Sequence, residues 1–79
     1  MRNALLIEDS AEYPRLVRAA LAESFRVHTA NDREAAIKAL KQNSFDLISI
    51  DVGLPGRNGL VLFEELRQDI RLKSVRIFL

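Results

Sequence analysis

Two short apolar runs, each ending abruptly in acid, constrain this chain more than any other feature. Asn3 to Ile7 leads into Glu8 and Asp9, and Phe45 to Ile50 leads into Asp51. A continuous apolar run of this length is the pattern of a strand buried on both faces. Segments with helical spacing lie between and after the two runs, so strand and helix alternate along the chain. That alternation predicts an α/β layer structure with a parallel sheet and right-handed crossovers. In such sheets the functional crevice lies beyond the carboxyl ends of the strands, where the winding direction reverses. Neighbouring parallel strands would bring all three carboxylates to that end. There they repel one another, and their shared field favours a bound divalent cation.

The remaining elements follow from local patterns. Helical spacing runs from Ser10 to Ser24, with Val17, Ala20, Leu21 and Ser24 on one side and Arg15, Arg18 and Glu23 in water. Pro14 is tolerated only in a first turn, which places the helix start near Tyr13 and leaves the acids on a loop above the sheet. Phe25 to Ala30 alternates in polarity, as a strand exposed on one face or at an edge does, with His28 pointing away from Phe25, Val27 and Thr29. Asn31, followed three residues later by Glu34, has capping-box spacing and predicts a second helix carrying Ala36, Ile37 and Leu40 inward and Lys38 and Lys41 outward. Gly53, Pro55, Gly56 and Asn58 mark 52–58 as a loop, and Asn58 can cap a third helix through Gln68 with Leu62, Phe63 and Leu66 on its apolar side. Ser74 to Leu79 reads as a fourth strand. The winding places the second and third helices on one face of the sheet and the first alone on the other.

Bulk properties exclude several classes. With 79 residues the chain is one domain at most, and a domain of this size buries only about 60% of its unfolded surface. No cysteine is present and His28 is the single histidine, which removes disulfide frameworks, thiolate zinc sites and histidine metal clusters. Twelve basic and eleven acidic residues give a net charge of +1. The basic residues are dispersed, which argues against nucleic-acid binding by this segment. The apolar stretches are too short for a signal-peptide core or a membrane span, and the expected compartment is the cytoplasm.

The motifs Ala4-Leu-Leu-Ile-Glu-Asp-Ser10 and Asp46-Leu-Ile-Ser-Ile-Asp-Val-Gly-Leu-Pro-Gly-Arg-Asn-Gly-Leu60, in this order with helical patterns between them, resemble the receiver domain of two-component response regulators. The resemblance covers the whole chain. It implies a flavodoxin-like three-layer sandwich of strand order 2-1-3-4-5, here reaching about four strands and three helices. On this reading 1–79 is the N-terminal part of a receiver, ending within the fourth strand. The resemblance makes Asp51 the phosphoacceptor for a phosphoryl group from a sensor histidine kinase or phosphotransfer protein. It makes Asp9 a direct ligand of Mg²⁺, with Mn²⁺ as a substitute. Glu8 would hold the cation mainly through water, and Gly53 would offer its backbone carbonyl. The result is a signalling phosphoacceptor rather than an enzyme, able to label itself from a small phosphodonor. Receivers also use a hydroxyl residue past the fourth strand and a lysine at the end of the fifth, which lie beyond Leu79, so impaired switching is expected. Lys73 precedes the last strand and belongs at the opposite end of the sheet, while Arg57 sits in the loop after Asp51.

Blander readings exist for each residue. Asp9 or Ser10 could simply satisfy helix N–H groups, and Gly53, Pro55 and Gly56 are ordinary turn residues. His28 reads as a strand residue at the pleat or surface, Tyr13 as a packing or loop residue, and Arg57 as solvated unless it meets phosphate. An aspartyl-phosphate phosphatase would want a second acid where Gly53 stands, and a flavin module would want a phosphate cradle where Glu8 and Asp9 stand. The alternative that survives is a structural or interaction fragment that is not phosphorylated. The open edge of the fourth strand, with Val75, Ile77 and Leu79, predicts a homo-oligomer.

Overall fold

The structure, a computed structural model, describes residues 2–8, 13–50 and 58–78. Strand β1 (Arg2–Ile7) is followed by helix α1 (Tyr13–Leu21), β2 (Phe25–Ala30), α2 (Arg33–Gln42), β3 (Leu47–Ile50), α3 (Asn58–Gln68), a short 3-10 turn (Ile70–Leu72) and β4 (Arg76–Phe78). All strand pairs are parallel and the order is β2-β1-β3-β4. The expected winding is therefore present, with β1 central and the direction reversing between β1 and β3.

Each face of the sheet is covered differently. Leu5, Ile7, Ile48 and Ile50 are buried with Ala36 of α2 and with Leu62 and Leu66 of α3. This is the principal core. Ile37, Leu40 and Phe63 are partly buried against it, and Arg33 of α2 forms an ion pair with Glu65 of α3 at the surface. On the opposite face lies α1, whose Arg18 Nη2 donates to Thr29 Oγ1 at 3.3 Å. Thr29 is the register partner of Leu6, and Ala4 and Leu6 are fully buried on this side. The expected split, with α2 and α3 together and α1 apart, is observed.

Several boundaries differ from the sequence reading for identifiable reasons. The cap of α2 is Asp32, not Asn31. Asp32 has extended backbone (φ −159°, ψ 178°) and its Oδ1 accepts the Ala35 N–H at 2.8 Å. The residue three positions after this cap is Ala35, so no capping box forms, and Glu34 contributes only a favourable charge in the first turn. Helix α1 ends at Leu21, because Ser24 N–H turns back to the Leu21 carbonyl at 2.9 Å. Ser24, beyond the helix, is exposed rather than inward, and so is Ala20 within it. Strand β3 begins at Leu47, two residues later than Phe45, which is buried ahead of it. Strand β4 begins at Arg76 because Lys73 and Val75 close turns onto Ile70 and Leu72. Of the predicted loop at 52–58, residues 52–57 fall outside the described residues, as does the Leu79 end of the last strand, while Asn58 is the first residue of α3 rather than a cap ahead of it.

The amino end of the sheet is tied by Asn3. Its N–H donates to Asp46 Oδ2 and its Nδ2 to the Ser44 carbonyl, both at 3.0 Å. Because Nδ2 is a donor there, Oδ1 must accept from His28 Nε2 at 3.3 Å, which places the imidazole proton on Nε2. The His28 ring stands edge-on to Phe45, with centroids 5.2 Å apart and planes at 88°. His28 is thus a half-buried strand residue joining β2 to the start of β3, in keeping with its structural reading.

Candidate functional site at the carboxyl end of the sheet

The site is set by register. Ile7 of β1 is paired with Ile50 of β3, and with Ala30 of β2 on the other side. All three residues are buried, so the carboxyl end of the central strands rests on the principal core. The backbone there is held by side chains that cannot shift without opening a cavity.

Glu8 is the next residue after Ile7 and extends the pairing by one step, its N–H donating to the Ala30 carbonyl at 2.8 Å. It is only 5% exposed. A carboxylate so far removed from water is costly to keep charged unless a hydrogen-bond donor, a cation or a metal ion accompanies it. Its donors are oxygens, which suit hard divalent cations such as Mg²⁺. In sequence, Asp51 follows directly on Ile50, the register partner of Ile7. Asp51, Asp9, Gly53 and Arg57 lie outside the described residues. Among the described residues no group of three or more acids or histidines forms a cation site, and Glu8 is the one predicted acid within them. The sequence reading did not single out Ala30, whose carbonyl fixes Glu8. The signal was available, since the second strand ends just before Asn31 and Asp32.

Lys73 lies where expected, away from Glu8. It follows the 3-10 turn, with its N–H directed to the Ile70 carbonyl at 3.3 Å, and precedes β4. It therefore belongs to the amino end of the sheet, opposite Glu8. At that end Asp69 Oδ1 accepts from both the backbone N–H and Nε of Arg71, and Oδ2 pairs with Arg71 Nη2 at 2.7 Å. The side-chain bonds from Arg71, and then its backbone N–H, hold the Asp69 carboxyl below its ordinary value of 3.8.

Buried Glu8 thus follows the central strand, at the point in the sheet where the winding direction reverses. The sequence model of the response regulator receiver domain matches residues 4–79. The chain belongs to that family. Among its relatives, the receiver is 41% identical over 69 residues to the transcriptional regulatory protein CpxR of Klebsiella pneumoniae, covering 86% of this chain and 29% of that protein. It is 31% identical over 77 residues to the response regulator sskA of Aspergillus fumigatus, covering 96% of this chain and 9% of that protein. The chain thus spans under a third of the curated relatives it matches. Among solved structures, the chemotaxis response regulator CheY4 of Vibrio cholerae superposes with a TM-score of 0.84 at 27% identity, covering 98% of this chain and 65% of that one. A response regulator of Burkholderia pseudomallei, holding a phosphorylated aspartic acid, a calcium ion and citrate, superposes with a TM-score of 0.79 at 26% identity, over 98% of this chain and 45% of that one. These comparisons establish a two-component signalling receiver with the flavodoxin-like architecture.

Proposed function

We propose that this receiver accepts a phosphoryl group on Asp51 with a divalent cation, Mg²⁺ or Mn²⁺, held by Glu8, Asp9, Asp51 and the backbone carbonyl of Gly53. The observation that carries this reading is the in-register ending of β1 and β3 at Ile7 and Ile50, with buried Glu8 fixed to β2 immediately beyond. The phosphorylated aspartic acid and calcium ion of the Burkholderia neighbour support the same chemistry.

A carboxylate oxygen of Asp51 attacks phosphorus in line with the bond to the donor imidazole nitrogen. The P–N bond breaks, the leaving imidazole takes up a proton, and an acyl phosphate remains on Asp51. Phosphoryl transfer asks the protein for positioning and charge compensation more than for covalent chemistry. The cation would supply that compensation, offsetting negative charge on nucleophile and phosphoryl oxygens. The domain's own contribution is a rigid strand end: Ile7, Ile50 and Ala30, buried together, fix where the chain leaves the sheet.

The donor would be a phosphohistidine on a sensor histidine kinase or phosphotransfer protein. The proposed compartment is the cytoplasm; no helix among the described residues is long and apolar enough to cross a membrane. The test is treatment with a small phosphodonor followed by mass spectrometry. Added phosphate should map to Asp51 and vanish in Asp51→Asn, whereas labelling of Asp51→Asn at the wild-type rate would refute the assignment. A scaffold that is not phosphorylated would leave Asp51 unmodified.

A further inference from the structure

We propose that a groove at the amino end of the sheet, between the end of α2 and the 3-10 turn, docks an acidic segment of a partner protein through one large apolar residue. The groove has a volume of about 240 Å³. Leu40, Phe45, Leu72 and Val75 give it an apolar lining, with Phe45 buried and the other three partly buried against the core. Its walls belong to the end of α2 and the connections that lead into β3 and β4. β3 is an interior strand in the order β2-β1-β3-β4, so a further strand beside β4 would add to the far side of the sheet and leave this groove open.

The polar rim sets the charge of the occupant. Asp69 and Arg71 both line the groove. Arg71 donates to the Asp69 carboxylate through Nε at 3.1 Å, Nη2 at 2.7 Å and its backbone N–H at 2.9 Å. The carboxylate is thereby committed to one neighbour, and its side chain is only 22% exposed. A guanidinium carries five N–H donors, and the two given to Asp69 leave three, on a side chain that is 79% exposed. The free edge of Nη1 and Nη2 can take a second carboxylate bidentately, and Asp69 holds that edge in place before a ligand arrives.

The facing rim adds another cation. Arg33, Ile37 and Lys41 follow one another at four-residue spacing along α2 and so share a side. Arg33 on that side pairs with Glu65 of α3. Lys41, exposed in the last turn of α2, therefore faces α3 and the turn that follows it. Size and lining fix the remaining chemistry. Sites for small molecules usually exceed about 300 Å³, whereas a smaller apolar hollow beside an exposed arginine suits a single side-chain anchor. A nucleic acid would use the cations but leave the apolar lining unfilled. Asn43 and Ser44, exposed at the rim, are placed to bond the occupant's main chain. The groove lies at the end of the sheet opposite Glu8, so docking leaves the proposed phosphoacceptor end free.

Amide NMR titration of the 79-residue chain with the peptide Glu-Glu-Leu-Glu-Glu, blocked at both ends, tests this. Saturable shifts should centre on Leu40, Asn43, Phe45, Arg71 and Val75, with a dissociation constant below about 1 mM. Replacing the peptide's Leu by Gly, or its Glu residues by Gln, should weaken binding about tenfold. Arg71→Gln should weaken it about tenfold and Lys41→Gln about threefold. Arg18→Gln, on the opposite face of the sheet, should leave it unchanged, and the dispersion of each spectrum verifies the fold of the variant. Absence of saturable shifts, shifts centred elsewhere, equal binding of the Gly peptide or of a thymidine oligonucleotide, or indifference to both Arg71→Gln and Lys41→Gln would overturn the proposal.

Discussion

Leu5 and Leu6 are adjacent, identical and both fully buried, yet truncating them should have unequal effects. Replacing either by Ala removes the same carbons from the same degree of burial, so the transfer contribution is common to both. The difference lies in how far each site can collapse. Leu5 belongs to the core formed with Ile7, Ile48, Ala36, Phe45, Leu62 and Leu66, and its register partners are His28 and Ile48. Surrounded by two helices and the sheet, a void there stays open. Leu6 faces α1, on the side where Phe25, Val27 and Leu47 are only half-buried and Phe78 is half-exposed. Leu16 of α1 is itself 79% exposed, and this helix is expected to settle toward the gap. Leu→Ala changes cost about 2.7 to 5.0 kcal/mol, rising by about 24 cal/mol per Å³ of residual cavity. Leu6→Ala should therefore cost about 3 kcal/mol and Leu5→Ala about 4.5. The gap of about 1.5 kcal/mol corresponds to about 60 Å³ of extra void at Leu5. A domain of this length has about 4 to 12 kcal/mol of total stability, so either change is severe, and Leu5→Ala could leave little folded protein. Urea unfolding with a shared m-value, at one protein concentration for both variants, measures the gap. Equal costs, or a larger cost for Leu6→Ala, would refute the claim that the two faces are packed unequally.

Other consequences are smaller. Asp32→Ala should cost about 1 kcal/mol by removing the cap of α2, while Asn31→Ala should stay within about 0.5 kcal/mol of wild type; thermal melts separate the two. The Asp69 carboxyl is depressed by Arg71, so its contribution to stability is present above the ordinary value of 3.8 and is lost as pH falls through the lower folded value. Carboxyl-carbon NMR should show the Asp69 midpoint moving upward in Arg71→Ala, but not the whole way, because the backbone N–H remains. For the proposed metal site, Mn²⁺ should broaden the amide resonances of Ile7, Glu8 and Ile50 well before those of Asn3, Phe45 and Ser74 at the far end. Asp9→Asn should remove the selectivity, and broadening centred on the amino end would count against the site.

The sequence was most readable where burial leaves a residue no alternative. Ala4 to Ile7 is buried without a break, so an unbroken apolar run was sufficient to announce β1. The bounds of α3 were legible because Leu62 and Leu66, one turn apart, both reach the core. Where burial is weak the pattern misled. Ala20 has too little apolar surface to compel an inward position, and α1 stops at Leu21 although apolar spacing continues. Asn31 and Asp32 are both good caps, and composition cannot choose between neighbours; the choice rests on which backbone is extended and which oxygen meets the Ala35 N–H. The 3-10 turn at Ile70–Leu72 was missed for a related reason, since it depends on Asp69 receiving the Arg71 N–H two residues on rather than on periodicity. At the site, Glu8 follows from the strand pattern alone. The roles of Asp9, Asp51 and Gly53 come instead from motif resemblance, because cation binding depends on carboxylates that converge from separate strands.

The central claim, that Asp51 is a cation-assisted phosphoacceptor, is tested most directly by following acyl-phosphate formation from a small phosphodonor with Mg²⁺ and with excess chelator. Intact mass spectrometry would give the rate, and peptide mapping the position. The account predicts a single phosphoryl group on the peptide containing Asp51, formed with Mg²⁺ and nearly absent in chelator. Labelling that proceeds equally without the cation, or that maps away from Asp51, would contradict it.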